Sequence, residues 1–117
     1  MSYVHVLIEK VIYDFLREKL SAGVFMTIPE NPPSRFVLVE LTGHADRDLI
    51  QNATFAIQSY GESLLDAAEL NREVLNVMEQ FTCLSEVSGC HLNTYYNFTD
   101  TETKKPRYQA IYDISHY

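Results

Sequence analysis

The chain has 117 residues, nine basic and sixteen acidic, giving a formal charge of −7. This length suits one compact domain spanning 1–117, and 46% hydrophobic against 21% charged residues is the balance of a folded protein, not a disordered tail. The acidic excess disfavours binding to nucleic-acid phosphates, and the one basic cluster, Lys104-Lys105-Pro106-Arg107, directly follows Asp100 and Glu102.

From Ser2 onward, Val4, Leu7, Ile8, Val11, Ile12, Phe15, Leu16 and Leu20 recur at helical three-and-four spacing, with Glu9, Lys10, Asp14, Arg17, Glu18 and Lys19 between them. The pattern predicts an amphipathic helix capped by Ser2 and ended near Gly23, where a left-handed residue is usual. Mixed charges on its polar side favour docking on a sheet over lying on a membrane.

Val24 to Ile28 is short and apolar, a first strand ended by Pro29 and expected to pair with the second. Pro32 and Pro33 then deliver the backbone extended into Arg35-Phe36-Val37-Leu38-Val39-Glu40-Leu41-Thr42-Gly43. Phe36 and Leu38 take one face and Val37, Val39 and Leu41 the other, so this strand should be covered on both sides. His44-Ala45-Asp46-Arg47-Asp48 is too polar for a core and predicts a loop or a protruding hairpin tip.

Gln51 to Tyr60 alternates, with Ala53, Phe55 and Ile57 on one face, which predicts a half-buried third strand broken by Gly61. Ser63 followed by Asp66 resembles a capping box and opens a second helix with Ala67, Leu70, Val74, Val77, Met78 and Phe81 as its buried stripe. A strand over roughly 90–98 and another after Pro106, with Tyr108, Ala110, Tyr112 and Ile114 in alternation, should form a terminal hairpin. The order α-β-β-β-α-β-β predicts an α+β fold, a mostly antiparallel sheet of about five strands packed with two helices.

Chemistry-bearing patterns are few. His44, Asp46 and Asp48 would share a face on an extended backbone and could offer nitrogen and oxygen ligands, but Arg47 brings opposing charge and no partner ligand is evident in the sequence. Cys83, Cys90 and His91 do not have zinc-knuckle or redox-pair spacing. There is no glycine-rich phosphate loop and no activated-serine motif. The expectation is therefore a protein that is not an enzyme, with no catalytic residue, no cofactor and no bound metal. The N-terminus has no charged leader followed by an apolar core, and no segment approaches bilayer length, so a cytosolic protein with two free thiols and no membrane contact is expected.

Across almost its whole length the chain resembles the phage tail terminator (tail completion, minor tail) proteins. The carriers are the N-terminal amphipathic helix, Pro33-Ser34-Arg35-Phe36-Val37-Leu38-Val39, Ile57-Gln58-Ser59-Tyr60-Gly61, the helix bearing Ala67-Ala68, and Pro106-Arg107-Tyr108-Gln109-Ala110-Ile111-Tyr112. The resemblance implies a structural virion protein, made in the host cytoplasm and ending in the tail or neck. Such a protein caps the tail-tube protein as a ring, usually a hexamer, ends polymerisation and presents the joint to the head-tail connector, with no specific nucleic-acid binding. His44, Asp46, Arg47 and Asp48 are the expected subunit contacts, because they are charged and lie between two strands. The alternatives are a head-side connector or neck protein, or a small metal- or ligand-binding protein using His44, Asp46 and Asp48.

Overall fold

The computed structural model describes residues 7–47 and 50–117, except for the side chains of Asp46 and Arg47. Two helices and five strands follow in the order α1 (Ile8–Lys19), β1 (Gly23–Phe25), β2 (Phe36–Arg47), β3 (Ile50–Tyr60), α2 (Leu64–Met78), β4 (Val87–Asn97) and β5 (Arg107–His116), with a 3₁₀ turn at Phe81–Cys83. This is the expected α+β fold, in one mixed sheet of order β1-β2-β3-β5-β4. It departs from an all-antiparallel sheet at one edge. β1 runs parallel to β2, pairing Gly23 with Phe36 and Phe25 with Leu38, because the chain returns through residues 26–35 before entering β2.

Several element bounds differ from the sequence reading for identifiable reasons. The Ser2 cap lies outside the described residues, and Leu7, extended at the N-cap position of α1, makes no side-chain cap bond. Gly23 does not end α1 in a left-handed turn. Leu20 is already extended, its amide still bonded to Leu16, so the helix stops there and the chain bends through Ser21 and Ala22 into β1. That strand is also shorter than Val24–Ile28, since only three residues reach β2. Of the two expectations for residues 44–47, the hairpin tip holds and the loop does not, because β3 supplies a ladder partner for each, ending at Arg47 with Ile50. β4 begins at Val87 because residues on β5 as far as His116 pair with it.

Both helices lie on one face of the sheet. Ile12, Leu16, Leu70, Val74 and Phe81 pack there against Val37, Val39, Phe55, Ile57, Ala110 and Ile114, and the Phe15 and Phe81 rings meet edge-on at 5.1 Å. The opposite face has its own smaller cluster, in which Phe36 stacks on Tyr60 at 4.4 Å with Phe25, and Leu38 packs beside them. Phe36–Val39 of β2 are thus covered on both sides, as the two-faced apolar run requires, whereas Leu41, expected on a covered face, is exposed with the rest of 40–45.

The start of α2 is pinned by short polar side chains. Ser63 Oγ accepts from the Asp66 amide at 3.1 Å, while Asp66 reaches back to the amide of Glu62, one residue before the usual capping-box partner. Asp66 also pairs with Arg35 Nε at 3.0 Å, tying the entrance of β2 to α2. The Glu62 amide, and then Arg35, hold the Asp66 carboxyl below its ordinary range against the opposing effect of desolvation. A depressed carboxyl stabilises the fold above its unfolded pKa and loses that contribution as pH falls through its folded pKa. Asp66→Asn should therefore flatten the acid limb of a stability–pH curve; equal acid sensitivity in an acid titration followed by circular dichroism would remove Asp66 from that role.

Candidate functional site

Register places the predicted contact residues at the end of the sheet remote from the prolines. His44 pairs with Ala53, Asp46 with Gln51, and Gln51 in turn with His116 on β5. The His44 side chain is exposed, its Nε2 lies 2.9 Å from Gln51 Oε1, and its ring stands 5.9 Å from that of His116. His116 is fully buried, with Nδ1 3.1 Å from the Tyr117 carbonyl. Asp46 and Arg47 are placed by backbone register alone, and Asp48 lies outside the described residues. The fold therefore adds His116, 72 positions along the chain from His44, which only the β3–β5 register brings near. Among the described residues no group of three or more His, Cys, Asp or Glu side chains is placed to hold a metal ion.

The helix-free face of the sheet carries a second arrangement that periodicity did not reveal. Gln58 Nε2 donates to Gln109 Oε1 at 2.9 Å, and Gln109 Nε2 donates to the Tyr96 hydroxyl at 2.6 Å, linking β3, β5 and β4. Arg107 closes this chain at one end. It donates to the Tyr60 hydroxyl at 2.9 Å and the Phe98 carbonyl at 2.6 Å, with its guanidinium 4.4 Å above the Phe98 ring. Further along, Asp113 accepts from Thr54 and Asn93, and Ser115 donates to Asn52. Buried amides such as Gln58 and Gln109 are tolerated only when paired, and pairing across strands fixes their rotamers. The result is a rigid polar surface rimmed by half-exposed Tyr96 and Phe98.

A cleft of about 310 Å³ separates α2 from β4, lined by Arg72, Met78, Cys90, Leu92, Tyr95 and Tyr112. Burial pushes the Cys90 thiol up to about 11 and raises Tyr112 as well, so both are protonated at neutral pH and neither is an activated nucleophile. His91, the adjacent residue on β4, points to the opposite side of the sheet, so it is not a base for Cys90. Cys83 is exposed in the 3₁₀ turn, and both thiols are free. A thiol reagent at neutral pH should label Cys83 rapidly and the half-buried Cys90 much more slowly. Two rapid thiols in the native protein would show that the cleft does not shield Cys90.

No known family model and no curated protein matches this chain.

Proposed function

We propose that the chain is a structural assembly protein that caps a phage tail tube as a ring, most simply of six copies, ends tube growth and forms the surface joined to the head. The observation that carries this reading is the helix-free sheet face, locked by cross-strand hydrogen bonds from Arg107 to Tyr96 and rimmed by exposed aromatic rings. Such a surface is preorganised for a protein partner, and Tyr and Phe with an Arg beside them are side chains that interfaces favour. The molecule measures 50 × 26 × 25 Å, and its long β2–β3 hairpin carries the exposed His44 and Ala45 toward one end. An elongated unit of this kind suits repeated head-to-tail contacts, which close when the rotation between neighbours allows. The acidic balance would leave the channel of such a ring unattractive to passing DNA.

The test is to mix the protein with growing tail tubes of its own phage and to measure tube length by electron microscopy. Tubes of normal length with added density at one end are expected. Tubes that overgrow with bare ends would overturn the capping role and favour a head-side connector.

A further inference from the structure

We infer that a second copy of this chain adds to the sheet edge to edge, with β4 of one copy antiparallel to the outer edge of β2 of the next, and Val39–Ala45 running beside Tyr95–Gly89. The inference deepens the ring reading by naming its contact, and rests on that reading only for closure into a ring.

Two long edges remain open among the described strands. β1 covers β2 only at Phe36, Val37 and Leu38, so the outer side of β2 from Val39 onward has no strand beside it. β4 is the outermost strand on the other side of the sheet. β2 and β3 are antiparallel, as are β3 and β5, and β5 and β4, so β4 runs opposite to β2. Continuing the sheet from one copy to the next thus makes an antiparallel pair. Each open edge presents a row of backbone donors and acceptors that such a pair would satisfy.

The register makes these two edges fit each other. Reading across β2, β3, β5 and β4, one row holds Val39, Ile57, Ala110 and Tyr95, and another holds His44, Ala53, Ile114 and Cys90. β2 has one extra residue, Thr42, between Leu41 and Gly43, and β4 has one extra residue, Asn93, between Leu92 and Thr94. A bulge on one edge strand alone throws a flat partner out of step and so discourages pairing. Here the two extra residues flank the same row, that of Leu41, Phe55, Tyr112 and Leu92, so the surpluses cancel. Val39 can face Tyr95, Gly43 can face His91, His44 can face Cys90 and Ala45 can face Gly89 without a break. Leu41, Leu92 and Tyr95, which remain partly or largely open in one copy, then lie close together on the helix side, beside the cleft next to α2.

The fit yields a covalent test. Within one copy His44 and Cys90 are three strand spacings apart, about 14 Å, too far for a disulfide, whereas across the inferred seam they are direct neighbours. In a Cys83→Ser background, His44→Cys oxidised at millimolar protein should give a ladder of disulfide-linked multimers that reductant collapses and that Cys90→Ser abolishes. Monomer alone overturns the inference. Cross-links that survive Cys90→Ser also overturn it, because they would mean introduced thiols meeting about a two-fold axis. Hydrogen exchange on the unmodified protein checks the same seam: outward amides of 39–45 and 89–95 should slow at least tenfold between micromolar and millimolar concentration, and unchanged rates count against the pairing. Cross-linked multimers that fail to cap tubes would leave this contact standing and remove the tail reading, while capping without cross-links would do the reverse.

Discussion

Val39→Asp is expected to remove a large share of the stability of the fold. Val39 is 1% exposed and Val37 is fully buried, both packed on the helix side of β2. Replacing either with aspartate forfeits about 1.5–3 kcal/mol of apolar burial and places a carboxylate among the apolar side chains of the helix-side core. The combined loss should exceed about 4 kcal/mol, the range reached when a core position takes an unpaired charge. A domain of this size holds only about 5–15 kcal/mol in total. Glu40, the next residue along β2, is exposed, and Glu40→Gln should stay within about 0.5 kcal/mol of the parent. Urea unfolding followed by circular dichroism compares the three directly. A Val39→Asp midpoint near that of Glu40→Gln would mean that the helices do not seal this face.

Gly61→Ala should be the most damaging replacement of a glycine by alanine. A methyl group there would lie 2.8 Å from the Asp66 carbonyl carbon and 2.9 Å from Asp66 Oδ2, and would also press on the Ala67 amide nitrogen. These are atoms of the first turn of α2, held by the Ser63 cap and by the Ala67 amide bonded to the Ser63 carbonyl at 3.0 Å. They cannot yield without undoing the cap, so overpacking of about 1–3 kcal/mol is compounded by about 1 kcal/mol of lost capping. The melting temperature should fall by roughly 10 °C or more. Gly43 and Gly89 serve as controls. A methyl at either would meet nothing closer than 3.8 Å, and alanine in a strand is no worse than glycine. If Gly61→Ala melts with these two controls, the close approach of β3 to α2 is not a constraint.

The sequence showed Gly61 as a break after β3 but not the reason for it, because the clash is with residues that only folding brings back. The same division runs through the molecule. The two-faced run of β2, the strand positions of β3 and β5 and the Ser63 cap are local signals, and each lies where the sequence pointed, although β3 is buried on both faces from Phe55 to Tyr60 rather than half-buried. The direction of β1 was not legible, since it depends on the path of residues 26–35 rather than on three apolar residues. β4 was blurred because its irregularities at Ser88 and Asn93 interrupt the period of two. Of the candidate site, His44 could be singled out for its polarity, while His116 and the Gln58–Gln109–Tyr96 chain needed the register of three strands. A buried glutamine looks the same in sequence as one on a solvated face.

The stretch between the 3₁₀ turn and β4 has a further consequence. Leu7 lines a groove with Leu84 and Glu86, and the Tyr117 amide donates to the Glu86 carbonyl at 3.1 Å. Leu7 and Tyr117, the first and last described residues, therefore flank one short segment at the same pole of the molecule. The opposite pole, where Pro32, Pro33 and Pro106 meet beside Phe36 and Tyr60, is closed entirely by internal turns. A polypeptide joined after Tyr117 would emerge beside Glu86 and leave the proline pole clear.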